Sequence, residues 1–415
     1  MLYLLFTFVL SIIYVWTLYN IPTTVAGVRR LRRANREREN ASMPNGEDLP
    51  AVSILVPVKN EEKVVGRLLK SLLSQDYPSD RVEIIIVDDG SIDRTVEICR
   101  GYAERHSDQI RLLQQSKSNG KPTALNYALE HAKGEIIATF DADNVPERGT
   151  LRKAAGFLKD PSVAAVQGTI CSINADENML TKFLSYEEAV RFKAYMGGKD
   201  VLDLFVHLAG SCQFVRRTVL DAVGGWRADS LSEDMEMSAR LTERDYRIKY
   251  ALEMRSWQES PVSMRQLVNQ RLRWYRGCLD TAFGYGRLLR KLSWKRIDAE
   301  ATLVGPCMLT LSLVGFLMGL FTLVVPFSRD LFFTILAQAT TVLTGVTLLL
   351  GGLALIYVTK PRRIRNVLWL PFIYAYWTLQ TFLASYALFQ VVLRRPKKWR
   401  KTARSGVVTN HSLET

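Results

Sequence analysis

Two acidic pairs are the first residues in this chain whose types and spacing could do chemistry. Asp88 and Asp89 directly follow a short apolar run, and Asp141 and Asp143 follow another. Carboxylates at the end of a buried segment are costly unless they meet donors or cations. A D-x-D arrangement offers hard oxygen ligands to Mg²⁺ or Mn²⁺ bridged to a diphosphate, and the metal would neutralise a departing nucleotide. Uracil N–H and ribose hydroxyl groups would suit Asp88 and Asp89. Solvated acidic turns are the alternative, because Asp-Gly is a common turn pair and Ser91 is a good helix cap.

A third acidic pair, Glu233-Asp234, precedes a helical stretch that begins at Met235. Carboxylates in a first helical turn are favoured by the helix dipole, so capping alone could explain them. The functional alternative makes one of them the general base that takes a proton from an acceptor hydroxyl.

A basic and aromatic motif follows at Gln270, Arg273 and Trp274. On a helix these residues share one face, at positions i, i+3 and i+4. An arginine for phosphate beside a tryptophan for stacking suits a nucleotide-sugar site. An arginine and tryptophan belt at a membrane surface is the alternative.

Short apolar runs alternate with helical stretches around these motifs, which predicts a parallel sheet covered by helices on both faces. In such sheets ligands bind beyond the carboxyl ends of the strands, where the acidic pairs lie. The predicted strands are Val52–Val58, Val82–Val87 and Glu135–Phe140, and the predicted helices are Glu61–Ser74, Ile92–Arg105 and Thr123–Ala132.

Long apolar segments lie at both ends of the chain. Leu2–Tyr19 is nearly long enough to cross a bilayer. No basic residue precedes it, so a membrane anchor fits better than a signal peptide. Arg29–Asn40 is then predicted to be a helix on the inner membrane surface. Three further segments are each long enough to span: Ala301–Phe327, Leu331–Thr359 and Val367–Leu393.

The net charge of +14 suggests two classes of partner, nucleic acid and an anionic membrane surface. The densest basic runs adjoin the apolar segments, which favours the membrane and argues against nucleic acid. Basic runs flank the last segment on both sides, so the segment is re-entrant, another assignment is wrong, or the tail is external. Five cysteines without a C-x-x-C motif and four histidines argue against a zinc site or a disulfide framework.

Taken in chain order, the motifs resemble the D, DxD, (T/S)ED, QxxRW signature of processive family 2 glycosyltransferases. Hyaluronan synthase, cellulose synthase, poly-N-acetylglucosamine synthase and the chitin-oligosaccharide synthases belong there. The resemblance covers roughly Ala51 to Gly277. It implies an α/β GT-A domain with α-helical transmembrane segments, and an inverting mechanism. It also implies a UDP-sugar donor, a growing glycan acceptor and Mg²⁺ or Mn²⁺.

The resemblance also implies roles for the motif residues. The nucleoside would contact Asp88 and Asp89. Asp141 would serve the ribose, diphosphate and metal, and Asp143 would be the direct metal ligand by motif position. Asp234, with Glu233 beside it, would be the general base. Gln270, Arg273 and Trp274 would hold the diphosphate and the acceptor end.

Further positions match the family outside the four motifs. They comprise nucleoside contacts, a diphosphate contact, an acceptor-side segment and a gating-loop motif. The nucleoside contacts are Pro57 and Glu61, and the diphosphate contact is Lys121. The acceptor-side segment comprises Gly210, Ser211, Cys212 and Arg216, and the gating-loop motif comprises Trp399, Thr402 and Arg404.

The expected organisation has six parts along the chain. They are a transmembrane helix (1–20), an interfacial basic helix and linker (21–50), a cytoplasmic catalytic domain (51–260), interfacial helices (261–295), transmembrane helices (301–394) and a cytoplasmic tail (395–415). The leading hypothesis is a multi-pass plasma-membrane synthase that polymerises and translocates a β-linked glycan from UDP-N-acetylglucosamine or UDP-glucose. A single-addition enzyme that makes a glycolipid or polyprenyl-linked sugar is the alternative, and a non-enzymatic scaffold or transporter is the third hypothesis.

Overall fold

An eight-stranded mixed sheet forms the centre of the protein in a computed structural model. The structure describes residues 2–37, 49–115, 117–285, 288–324, 364–397 and 401–409, together with scattered residues between 331 and 353. The strand order is β3-β2-β1-β4-β7-β6-β8-β5. The strands are β1 Val52–Val58, β2 Val82–Asp88, β3 Ile110–Gln114, β4 Ile136–Thr139, β5 Val145–Pro146, β6 Val163–Ser172, β7 Gln213–Arg216 and β8 Arg247–Gln258.

Helices connect these strands and continue beyond them. The α-helices are α1 Leu2–Glu37, α2 Val65–Leu73, α3 Thr95–Arg105, α4 Lys121–His131, α5 Thr150–Phe157, α6 Met179–Ala189, α7 Gly197–Val201, α8 Arg217–Val223, α9 Glu233–Glu243, α10 Met264–Tyr285, α11 Trp294–Leu303, α12 Gly305–Val324 and α13 Leu370–Val392. A π-helix, Val190–Met196, joins α6 to α7.

The predicted parallel sheet is correct in part: of the seven strand pairings among the described residues four are parallel, including that of β6 with β8. β1 pairs in parallel with β2 and β4, and β2 pairs in parallel with β3. β7, however, runs antiparallel to both β4 and β6, and β5 runs antiparallel to β8. β7 spans only four residues and so carries too short a pattern to be recognised along the chain. β3 was missed for a similar reason, because only its first residue is fully buried.

Both faces of the sheet are covered, as the apolar runs predicted. Ile54 and Val56 of β1 pack with α2 residues such as Leu68, whereas Leu55 between them packs with Leu125 of α4. Successive side chains of a strand point to opposite faces, so a run that is apolar at every position requires cover on both. The carboxyl ends of β1, β2 and β4 therefore emerge at one edge of the sheet.

The N-terminal helix differs from its prediction. A single helix, α1, runs through residues that we expected to form an anchor and a separate surface helix. Its second half packs on the domain that contains the sheet. A Cβ at Gly27 would lie 1.7 Å from the Ala194 carbonyl oxygen, and a Cβ at Gly198 would lie 1.8 Å from the Thr23 carbonyl oxygen. Arg30 forms an ion pair of 2.7 Å with Asp200. Small residues thus allow the backbones to approach closely.

Apolar helices flank the sheet-containing domain at both ends of the chain. Among the described residues, Leu4–Arg33 is the one helix long and apolar enough to cross a membrane. The pair α11 and Gly305–Met318 satisfies the same criteria jointly, although it bends by 59°. The second predicted segment, Leu331–Thr359, lies largely outside the described residues, so the predicted multi-span region is seen only in part.

A buried ion pair joins α7 to α11, and a hydrogen bond from α1 reaches the same cluster. Lys199 and Asp298 are both fully buried, with 2.9 Å between their charged atoms. Asp298 also accepts hydrogen bonds from the Phe205 amide and the Tyr19 hydroxyl, and Lys199 donates to Thr302. These polar contacts link α1, α7 and α11.

Replacing Lys199 by methionine is expected to destabilise the protein by about 3–5 kcal/mol, because it leaves Asp298 buried without a cation. Thermal unfolding of the detergent-purified protein measures the effect. Adding Asp298→Asn to the same chain should recover part of the loss. Equal destabilisation by the single and double variants would contradict this account.

Candidate active site

Two adjoining cavities lie at the carboxyl ends of the strands. The first, the strand-end cavity, has a volume of about 120 Å³. The second, the helix-side cavity, has a volume of about 440 Å³ and extends to α1 and α12. Residues from widely separated motifs line both cavities and form their common wall. These are Lys121, Asp141, Gln270, Arg273 and Arg404.

The two carboxylates of the first acidic pair make different contacts. The Asp88 carboxylate accepts hydrogen bonds from the Gly90 and Ser91 amides, so it closes its own turn. Asp89 lines the strand-end cavity, 3.9 Å from the ammonium of Lys59. Both aspartates were expected to contact the nucleoside, but only Asp89 lines this cavity. Pro57 and Glu61 line the same cavity.

The D-x-D carboxylates are each held by a cation from elsewhere in the chain. Lys121 lies 2.7 Å from Asp141 and 2.8 Å from Glu233. Burial raises the pKa of Asp141, and Lys121 opposes that rise. Asp143 is 2% exposed and lies 3.1 Å from the guanidinium of Arg404. Lys121 therefore bridges two acidic motifs rather than standing free at a diphosphate site.

The donor set suits a hard divalent cation. Asp141 and Asp143 supply carboxylate oxygens to the strand-end cavity, as Mg²⁺ and Mn²⁺ prefer. Within the described part of the chain no third histidine, cysteine or carboxylate joins them to form a complete ligand set. A metal would therefore take its remaining ligands from a bound diphosphate, and it would compete with Arg404 for Asp143.

Asp234 lies in the first turn of α9 and faces the helix-side cavity. Burial, followed by the charge of Glu233, raises the pKa of Asp234 to about 6. Burial also acts on Glu233, but its ion pair with Lys121 outweighs burial and lowers the pKa of Glu233. Gly210 (φ +77°) permits this crowding, since a Cβ there would lie 3.2 Å from an Asp234 oxygen. A buried carboxylate that forms no ion pair with the described residues and has a raised pKa is suited to general base catalysis.

The Gln270, Arg273 and Trp274 motif lies within α10, as predicted. Gln270 and Arg273 line both cavities, whereas Trp274 lines only the helix-side cavity. The guanidinium carbons of Arg271 and Arg191 lie 4.4 and 5.3 Å from the centre of the Trp274 ring. The tryptophan therefore contacts two cations.

The remaining predicted site residues are placed differently. Ser211 accepts a hydrogen bond from the Asp141 amide, so it positions the D-x-D turn. Cys212 is fully buried in the core. The guanidinium of Arg216 donates to the carbonyls of Leu158, Val163 and Asp160, and Arg216 lines neither cavity, so its predicted acceptor-side role does not fit. Trp399 lies outside the described residues.

The C-terminal segment, 401–409, covers the strand-end cavity. Thr402 and Arg404 line it, and Lys401 forms a 3.0 Å ion pair with Glu61. The buried Glu259 accepts hydrogen bonds from the Ser405 and Gly406 amides, and thereby anchors the segment. The segment therefore packs on the same domain as the acidic motifs.

Several residues of the cavities were not predicted from the sequence. They include Lys59, Arg191, His207, Arg271 and Lys401. Glu259, which lines neither cavity but anchors the C-terminal segment, was not predicted either. Lys59, Arg271 and Lys401 adjoin predicted positions, so proximity to a motif was an available signal. Arg191, His207 and Glu259 adjoin no motif and were recognisable only once the chain had folded.

Comparison with known proteins agrees with this architecture. A family model described as "Glycosyltransferase like family 2" matches residues 50–277, and the chain belongs to that family. It is therefore a glycosyltransferase. The chain is 32% identical to the probable glycosyltransferase YdaM of Bacillus subtilis (strain 168), over 71% of this chain and 70% of that protein.

Two further relatives extend the comparison. The β-monoglucosyldiacylglycerol synthase of Synechocystis sp. is 32% identical over 60% of this chain, but the match spans only 52% of that protein. The mannosyltransferase PcManGT from Pyrobaculum calidifontis, solved with GDP-Man and Mn²⁺, is 24% identical with a TM-score of 0.59, covering 93% of this chain and 100% of that one. Its likeness shows that the expected GT-A fold is correct.

Proposed function

We propose that the protein transfers a sugar from a nucleoside diphosphate sugar to a hydroxyl group of a membrane lipid. One observation carries this proposal: Asp234 shares its cavity with Trp16 of α1 and with Met308 and Leu309 of α12. An apolar lining supplied by helices suited to a membrane fits a lipid chain, while the polar wall fits its headgroup. The relatives named as glucosyldiacylglycerol synthases support the same acceptor class.

The strand-end cavity is the proposed donor site. Asp89 and Glu61 face the nucleoside, and Arg273 faces the diphosphate. Its volume of about 120 Å³ is below the ~300–1,000 Å³ of typical ligand pockets. The segment 401–404 must therefore shift for a nucleotide sugar to enter. We propose UDP-sugars as the donor class. GDP-sugars are a second donor class to test, because PcManGT was solved with GDP-Man.

The proposed reaction is a direct displacement. Asp234 takes the proton of the acceptor hydroxyl, and the oxygen attacks the anomeric carbon from the helix-side cavity. The bond from that carbon to the diphosphate breaks, and its electron pair leaves with the nucleotide. Arg273, in the common wall, stabilises the departing charge. A bound Mg²⁺ or Mn²⁺, held by Asp143 and Asp141, would supply further charge neutralisation.

A polymer synthase remains the second candidate. The Gln270, Arg273 and Trp274 motif favours it, as do relatives named as cellulose synthase and poly-β-1,6-N-acetyl-D-glucosamine synthase, at 30% and 29% identity. The described chain offers few helices that could form a channel. In either case we propose a membrane protein whose catalytic domain and C-terminal segment share the cytoplasmic side.

The test uses full-length protein reconstituted in lipid nanodiscs, with a panel of UDP- and GDP-sugars and with Mn²⁺ or Mg²⁺. Products are separated by organic extraction and sized by mass spectrometry. A lipid that carries one added sugar is the expected product. A long water-soluble glycan would support the second candidate instead. Nucleotide release with water as the sole acceptor would contradict both.

A further inference from the structure

Two cations that line the helix-side cavity, Arg191 and Arg273, have no carboxylate partner among the described residues, and Arg273 is already assigned to the diphosphate. Lys121 is paired with Asp141 and Glu233, Arg271 is paired with Glu187, and Arg404 is paired with Asp143. Arg191 lines the same cavity, yet no carboxylate of the described residues lies within 4.0 Å of it and it donates no hydrogen bond to them.

Aromatic rings and an irregular helix hold this arginine in place. Its guanidinium lies 4.6 Å from the centre of the Phe192 ring and 5.3 Å from that of Trp274. Arg191 belongs to the π-helix Val190–Met196, and π-helical turns occur frequently at functional sites. Contact with aromatic faces orients the charge without neutralising it, so its N–H groups remain available to a ligand.

A second polar group in the cavity also lacks a partner. His207 is 8% exposed and lines the same cavity, and within the described part of the chain its Nδ1 has no hydrogen-bond partner. Burial, together with the charges of Arg191 and Lys199, lowers the pKa of His207 to about 3. The imidazole is therefore neutral at physiological pH and can donate one hydrogen bond. A ligand with acceptor atoms in this cavity would pair with the imidazole and with Arg191 together, an arrangement that buried polar atoms favour.

We propose that Arg191 and His207 bind a phosphate carried by the acceptor lipid, so that the acceptor is a phospholipid whose headgroup bears a free hydroxyl. This inference rests on the proposed function and narrows its acceptor class. The phosphate is not the nucleophile, because Asp234 provides a base that a phosphate oxygen would not need. The headgroup oxygen forms the new bond to the anomeric carbon, and its proton passes to Asp234. The bond from that carbon to the nucleoside diphosphate breaks, and the nucleoside diphosphate leaves with the electron pair of that bond.

The experiment compares phosphatidylglycerol with diacylglycerol as acceptors, each presented to full-length protein in phosphatidylcholine nanodiscs. The wild-type protein is expected to use phosphatidylglycerol with the higher kcat/KM. Arg191→Gln is expected to raise the KM for phosphatidylglycerol about 10–100-fold, because a charge-assisted hydrogen bond is lost. The KM for the nucleotide sugar should not change. Arg191→Lys should recover part of the loss, and Arg100→Gln, at an exposed position of α3, serves as the matched control.

The outcomes separate the inference from the proposed function. Equal or better use of diacylglycerol by the wild-type protein would overturn the anion site but leave the lipid acceptor intact. That comparison decides the question even if Arg191→Gln fails to fold. Use of soluble glycerol 3-phosphate as well as phosphatidylglycerol would overturn the lipid part of the assignment and keep the phosphate site. Absence of any glycosylated lipid would count against the proposed function itself.

Discussion

Replacing Asp234 by asparagine is expected to lower kcat for sugar transfer by about 10²–10⁴-fold, the usual contribution of a positioned general base. The side chains are nearly isosteric, so the KM for the nucleotide sugar should change little. Nucleotide release and glycolipid formation measure the effect. Glu104→Gln, at an exposed position of α3, is the matched control. Full activity of the Asp234 variant would assign the proton transfer to another group.

The same carboxylate predicts a pH dependence. Burial and Glu233 raise the pKa of Asp234 to about 6, whereas Lys121 and Arg273 act in the opposite direction. A base must be deprotonated to accept a proton, so kcat/KM should be constant above that pKa. Below about pH 6 it should fall tenfold for each pH unit as Asp234 becomes protonated. A rate that stays level down to pH 4 would contradict Asp234 as the base.

Replacing Asp143 by asparagine is expected to reduce metal-supported transfer by about 10²-fold or more, because charge stabilisation by a bound metal is worth several kcal/mol. The variant keeps the size of the side chain but loses the ionised oxygen that prefers a hard cation. Calorimetric titration of the protein with Mn²⁺ and UDP measures metal binding apart from turnover. Activity with Mn²⁺ should be lost together with binding.

Arg404 provides the comparison for this prediction. Its guanidinium lies 3.1 Å from an Asp143 oxygen, so it competes with the metal for the same carboxylate. Arg404→Gln should therefore tighten Mn²⁺ binding in the same titration, opposite in direction to Asp143→Asn. If both variants weaken Mn²⁺ binding alike, then Arg404 supports the metal site instead of competing for it.

Much of the catalytic half was predictable from local pattern. β1 begins and ends where its apolar run predicted, and β2 extends its run by one residue to Asp88. A strand covered on both faces is apolar at every position, and this signal needs no distant contact. The order of the acidic motifs and of the Gln270 motif was equally visible. Together they indicated a sugar-transfer enzyme before any geometry was known.

The pairing of charges was not predictable in the same way. Lys121 joins Asp141 to Glu233, and Arg404 reaches Asp143, across separations of 20, 112 and 261 residues along the chain. Nothing in the local sequence specifies such partners, because they depend on how the sheet brings distant loops to one edge. Whether Asp88 or Asp89 faces the cavity depended likewise on the turn that follows β2. Local burial leaves a repeating pattern in the chain, whereas contacts between distant segments arise from packing and leave none.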